Sequence, residues 1–224
     1  MRAFWRVSLA VYVKDLRLEV RTKETVSTIL VFSLLVVFIF NFAFDPSPSV
    51  IALVGPGIVW VAYTFMGVLG LNRSLIVEKD QDTLDGLRLA PVGRDSIYAG
   101  KVLGAFTVMM VVEALMLPVF LVLYDLSVFS LWFIVIAVLA TLGFAAVGTV
   151  FSAIAVHTRA REVLLPLLFL PVVLPIIIGA VATTGSVLEG GGWKEVGQWV
   201  QLILVFDIVF LVISSLAFEY VLEE

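Results

Sequence analysis

Cysteine is absent from this 224-residue sequence, and histidine occurs once, as His157. Without thiols there is no disulfide framework, no thiolate metal site and no covalent haem attachment sequence. Catalytic triads and zinc sites need an imidazole, usually with partners, and a single one leaves little room for either. No G-x-x-x-x-G-K-S/T phosphate loop occurs, so ATP-driven work would need a separate subunit to bind the nucleotide. Charge is scarce too, at 14% of residues against 62% hydrophobic. Soluble domains run nearer half apolar and about a quarter charged. Lipid is the solvent that suits this balance. The net charge of −4 says less than the placement of the charges, and no face suited to nucleic acid is visible.

What the sequence has is long apolar runs. An α-helical span needs about 20 mostly apolar residues, and six segments qualify. They are Thr25 to Phe44, a stretch within Pro46 to Asn72, another within Val102 to Tyr124, and one within Leu126 to Thr158. The fifth begins near Val163, and the sixth runs from about Val196 to Phe218. The runs are continuous, without the alternation of a β-barrel strand. The expected fold is all-α, a polytopic membrane protein of six transmembrane helices.

Orientation follows from Lys and Arg. Arg2, Arg6, Lys14, Arg17, Arg21 and Lys23 precede the first span. Arg73, Lys79, Arg88, Arg94 and Lys101 lie between spans 2 and 3, and Arg159 and Arg161 between 4 and 5. The opposite side holds Lys194 alone, so thirteen cations face one. Both termini are therefore expected in the cytoplasm, and the acidic end at Glu219, Glu223 and Glu224 does not object, since carboxylates weigh little here.

Residues 1–24 do not read as a cleavable signal, because apolar and charged residues are mixed throughout. Trp5, Leu9, Tyr12, Val13, Leu16 and Val20 form one helical stripe, with Arg6, Lys14, Arg17 and Arg21 on a neighbouring face. That pattern describes an amphipathic helix in the cytoplasmic interface. Residues 25–224 then form one permease domain whose largest non-membrane element is the cytoplasmic loop 73–101. A short helix is expected inside it, capped by Asp80 or Asp82, with Leu84 and Leu87 on one face and Pro91 as its stop. Asp95 is a second expected cap, leading into span 3.

Two acids, Glu113 and Asp207, lie inside apolar spans with no basic residue in the same spans. Each must face protein or a wet cavity, or carry a proton. A transport path or proton relay is the functional reading; a helix-to-helix hydrogen bond is the plainer and preferred one. His157, beside Arg159 and Arg161, reads as an interfacial residue rather than a ligand. Gly100 and Gly104 have GxxxG spacing, and Thr141, Ala145, Thr149 and Ala153 recur every four residues, which indicates close helix packing. Pro166, Pro171 and Pro175 imply a bent, protein-packed fifth span. From Gly179 through Gly190-Gly191-Gly192 to Trp193 a short external excursion is expected, with Trp193 and Trp199 near the interface.

Several of these residues carry a family likeness. Gly55-Pro56-Gly57-Ile58-Val59-Trp60-Val61 resembles the start of span 2 in the CcmB family, the haem exporter permeases of the cytochrome c maturation transporter. The likeness continues through Asp82-x-Leu84-x-x-Leu87 to Ala90-Pro91, then Lys101, and resumes at Pro166, Pro171 and Pro175. It covers nearly the whole chain. The resemblance implies an ABC-2-type permease, without enzymatic activity of its own, in the bacterial inner membrane. It also implies an ATPase partner of the CcmA kind, the membrane proteins CcmC and CcmD, and a haem chaperone like CcmE. Two permease copies per complex are expected, with haem as substrate, ATP on the partner and no cofactor bound directly. The work implied is haem export to the periplasm or ATP-driven release of the haem-loaded chaperone. An exporter of lipid, polysaccharide or drug remains an alternative, as does a non-transporting scaffold coupling an ATPase to a haem chaperone complex. The surface expected to meet the ATPase is Asp82, Leu84, Asp85, Leu87 and Arg88, in the loop's short helix.

Overall fold

The computed structural model describes residues 2–44, 47–80, 92–124, 130–156, 158 and 161–221. Among them are seven helices and no strand: α1 Arg2–Thr22, α2 Glu24–Ala43, α3 Pro48–Asp80, α4 Arg94–Tyr124, α5 Leu131–Val156, α6 Arg161–Leu188 and α7 Trp193–Val221. Six of them, α2 to α7, are long and apolar enough to cross a bilayer. α1 is not, for its cations and carboxylates interrupt every apolar stretch.

The junction between α1 and α2 is a single residue. Lys23 sits there in the left-handed region at φ 55°, a conformation costing L-residues about 1–2 kcal/mol. The Glu19 carboxylate accepts the Val26 N–H at 2.8 Å, satisfying one donor that the start of α2 would otherwise leave free. The chain thus changes direction abruptly between a charged helix and an apolar one.

α5 is the hub. It packs against α3, α4, α6 and α7, and most of its residues are buried. Small side chains permit this: Gly143, Ala145, Ala146, Gly148, Thr149 and Ala153 are all buried along it. A Cβ on Gly148 would collide with the Leu71 side chain, so α3 approaches α5 through that missing side chain. Between helices in lipid the apolar driving force is weak, and fit decides packing. Hydrogen bonds pin the arrangement: Ser152 Oγ donates to the Leu71 carbonyl at 2.8 Å, Tyr98 to Ala146 at 3.1 Å, and Tyr124 to Val37 at 2.9 Å. Such bonds average about 0.6 kcal/mol in membranes, so no single one holds the bundle.

The helices depart from the sequence expectations at their ends. α3 continues past the apolar span Ser49–Leu71 to Asp80, and α4 begins at Arg94, two residues before the start that a cap at Asp95 would give and well before the apolar run from Val102. Much of the expected 73–101 loop is therefore helix continuing out of the spans. Its predicted central helix, with Asp82, Leu84, Asp85, Leu87, Arg88 and Pro91, lies outside the described residues, as does His157. Asp95 is not a cap but sits in the first turn of α4, its Oδ1 accepting the Ser96 N–H at 2.8 Å. Ser96 Oγ donates to the Gly93 carbonyl instead.

α6 runs unbroken through Pro166, Pro171 and Pro175 to Leu188. Pro171 and Pro175 lie on its exposed side, not packed in protein as their spacing suggested. The expected excursion from Gly179 shrinks to residues 189–192, turned by Gly190 at φ 82°. The cause is tertiary. A Cβ at Gly179 would sit 3.1 Å from Ile203 and 3.6 Å from Trp199, so α7 packs directly on this backbone and keeps it helical.

Candidate functional site

Two sets of side chains stand apart from ordinary apolar packing: the acids flanking α5, and the polar junction between α1 and α4.

Glu113 projects from α4 and is 3% exposed. Thr141 of α5 donates to its Oε1 at 2.6 Å, while Oε2 has no hydrogen-bond partner among the described residues. Tyr63 of α3 donates to the Glu113 backbone carbonyl at 3.2 Å, so α3, α4 and α5 meet at this point. Asp207 projects from α7 and is 1% exposed. Its carboxylate rests where a side chain on Gly143 would be, and a Cβ there would also lie 2.5 Å from Ile176 of α6. Neither Asp207 oxygen has a hydrogen-bond partner among the described residues. The two acids therefore differ. Glu113 makes a helix-to-helix bond, and Asp207 makes none among those residues.

Thr141 and Gly143 are two positions apart, which is about 200° of helix rotation and about 3 Å of rise. The acids thus sit at one level on opposite sides of α5. Gly143 lies about 18 Å along α5, and Asp207 about 21 Å from either end of α7. A hydrocarbon layer about 30 Å thick centred on these two helices would have its midplane at that level. Ionised carboxylates there cost about 2.5–3.5 kcal/mol each on insertion scales.

The α3 block that carried the resemblance is also placed. Gly55 and Pro56 are buried, and Trp60 is fully buried. Trp60 Nε1 donates to Thr184 of α6 at 2.8 Å, and its ring meets Tyr63 edge-on at 5.6 Å. A Cβ on Gly185 would touch Pro56 at 3.9 Å. Trp60 thereby ties α3 to α6, satisfying a donor that would be costly to leave bare in lipid.

At the α1–α4 junction the helices nearly touch. A Cβ on Gly100 would lie 2.6 Å from the Ser8 carbonyl oxygen and 2.7 Å from Val11 Cβ. Ser8 Oγ donates to the Ser96 carbonyl at 2.9 Å, and Tyr12 meets Thr107 at 3.3 Å. Lys101, 2% exposed, pairs with Asp15 Oδ2 at 3.0 Å, and Lys14 holds Oδ1 of the same carboxylate at 3.1 Å. Gly100 and Gly104 therefore receive α1 rather than another span. Sequence reasoning missed Asp15, Ser8, Tyr63 and Thr184. Only Asp15 left a signal, as the acid at the far side of the α1 apolar stripe, since serine, threonine and tyrosine are unremarkable in apolar helices.

Six helices long and apolar enough to cross a bilayer, packed around a buried hub helix, define a multi-pass membrane protein. The chain belongs to the CcmB protein family, which matches it across residues 6–224. It is 30% identical to heme exporter protein B of Rhodobacter capsulatus over 166 residues, 74% of this chain and 76% of that one. It is 31% identical to heme exporter protein B of Paracoccus denitrificans over 170 residues, covering 75% and 78%. Against the Bradyrhizobium diazoefficiens protein of the same name identity is 24%, over 91% of both chains.

Proposed function

We propose that this chain is the permease subunit of an ABC-type complex for cytochrome c maturation in the bacterial inner membrane. It serves haem export to the periplasm or the ATP-driven release of a haem-loaded chaperone. The observation that carries this reading is the family match over residues 6–224, joined to six apolar helices and the lack of a phosphate loop. An ATPase subunit of the CcmA kind hydrolyses the nucleotide, and CcmC, CcmD and a CcmE-like chaperone are the further partners, with two permease copies in the complex. Deleting the gene should abolish c-type cytochromes while leaving b-type haem proteins intact. Affinity capture of the complemented strain should bring down the ATPase. Undiminished c-type cytochromes in the deletion strain would overturn the reading.

In this reading both termini are cytoplasmic, and residues 1–24 form an interfacial helix attached to a single permease domain, 25–224. The thirteen-to-one placement of cations supports it. Trp132 and Trp193 support it too: their rings lie 5.3 Å apart, putting the starts of α5 and α7 on one side, where tryptophan belongs at an interface. α1 lies along Ser96 to Thr107, beside the basic start of α4. Its exposed Trp5, Leu9, Val13 and Val20 face acyl chains, with exposed Arg6, Arg17 and Arg21 at the phosphates. Reporter fusions after Glu24, within Val77–Pro91, after Arg161 and at Glu224 should read cytoplasmic. Fusions near Asp45–Ser49, at Asp125 and near Gly190 should read external. A cytoplasmic signal at Gly190–Gly192 would sink the six-span arrangement.

Haem enters as substrate rather than as a resident group. Purified alone, the chain should show no stoichiometric haem absorbance: ligation needs an axial donor, commonly His, Cys, Met or Tyr, and the only histidine lies at the expected cytoplasmic edge. A one-to-one haem spectrum that vanishes in His157→Ala would refute this.

A further inference from the structure

Asp207 is the one buried carboxylate among the described residues whose two oxygens both lack a hydrogen-bond partner there. It is 1% exposed, at the middle of α7, and its carboxyl group fills the space where a side chain on Gly143 would be, a space that the Ile176 methyl group also borders. No compensating charge is within reach among the described residues. α7 packs on α4, α5 and α6. α5 contains no Asp, Glu, Lys, Arg or His at all, and α6 has Arg161 and Glu162 only, at its first two positions. On α4, Lys101 is engaged with Asp15, and Glu113 turns to Thr141 on the opposite side of α5. Arg94 reaches the Glu219 carbonyl, near the C-terminal end of α7, Tyr98 donates to Ala146 and Tyr124 to Val37. On α7 itself, Lys194, Glu195 and Glu219 are each about 18–20 Å along the helix from Asp207. A carboxyl group in an apolar seat, with neither a cation nor a donor facing it, is held only as the neutral acid.

The seat of this acid is specific. Gly143 leaves the gap on α5 that the carboxyl group fills, and any side chain there would displace it. Closure of α7 on α5 and the neutral state of Asp207 thus require each other. We propose that Asp207 is a proton-binding site at the bilayer midplane, occupied while α7 is seated on Gly143 and emptied when the two helices part. One proton from water joins the carboxylate on closing and returns to water on opening, so the separation of α7 from α5 carries a proton count of one. This site is independent of what the permease moves, and it stands or falls separately from the haem reading.

Infrared spectroscopy of the purified full chain in lipid bilayers tests it, since a neutral carboxylic acid has a carbonyl stretch that a carboxylate lacks. At neutral pH the wild-type chain should show this band. Growth with aspartate carrying carbon-13 in its side-chain carboxyl should shift one component to lower frequency, which needs no substitution and separates Asp207 from Glu113. Asp207→Asn should remove that component. Gly143→Val, which retains Asp207 but wedges α7 away, should weaken it by at least half. An acid band that neither the isotope nor Asp207→Asn changes would overturn the proton site. Full retention of the component in a correctly folded Gly143→Val chain would overturn its dependence on the α5–α7 contact.

Discussion

Valine at position 100 is expected to pull α1 off α4 while leaving the six spans in place. The Gly100 backbone approaches α1 so closely that a Cβ would sit 2.6 Å from the Ser8 carbonyl oxygen. The obstacle is main chain, which cannot rotate aside as a side chain would. Overpacking of this kind costs about 1–3 kcal/mol, and a backbone collision belongs at the upper end. The Ser8–Ser96 and Tyr12–Thr107 contacts and the Asp15–Lys101 pair then separate together, because all lie on the same line of contact. None of the contacts within α2–α7 depends on Gly100, so insertion should be normal. Release of α1 should let the helix around the already exposed Arg17 and Arg21 unfold into trypsin and speed cleavage there roughly tenfold to a hundredfold, following the population of the open form. Asp15→Asn should act in the same direction, since it withdraws the carboxylate charge opposite a lysine that is 2% exposed. Unchanged cleavage in Gly100→Val would show that α1 is not held by this junction. If α1 belongs to the machinery through which ATP work enters the membrane, cytochrome c formation should fall with it.

The second large effect is expected at Leu84 and Leu87. In the proposed function, a permease without a phosphate loop receives its ATPase through structure outside the bilayer, and the connection between α3 and α4 is the largest between the helices described. α3 supports this placement, because it runs about 13 Å beyond Leu71 before Asp80. On the short helix expected from the sequence, the spacing of Leu84 and Leu87 would put both on one face, with Asp82, Asp85 and Arg88 available for the rim. Interfaces concentrate their energy in a few buried anchors, so the two leucines should outweigh the charges. Truncating a well-packed leucine costs about 2–5 kcal/mol in protein cores. Every 1.4 kcal/mol is about tenfold in affinity, so the double variant Leu84→Ala/Leu87→Ala should lose the ATPase by a factor of about a thousand or more. Normal insertion with lost ATPase capture and lost c-type cytochromes is the expected result. Wild-type capture by a correctly inserted double variant would remove these residues from the interface.

The sequence by itself determined the solvent, the number of apolar helices and the family. Those properties are written in runs of about 20 residues and in a block such as Gly55 to Trp60, and they survive whatever the helices do to one another. The limits of the helices were not so written. Arg94 to Lys101 looks polar and reads only as a capped lead-in to span 3, yet it forms the first two turns of α4, with α1 packed on Gly100 and Lys101. Gly179 reads as a turn, yet α7 packs upon it and the turn moves to Gly190. The partner of each small or polar residue is likewise a tertiary matter. GxxxG spacing announces that something approaches, without saying that it is α1 and not a span. Glu113 and Asp207 are alike in sequence, two acids in apolar helices. Their difference arises because α5 offers a threonine hydroxyl to one and a bare glycine backbone to the other. Period and composition are properties of one helix, whereas satisfaction of a buried carboxyl belongs to a contact between two.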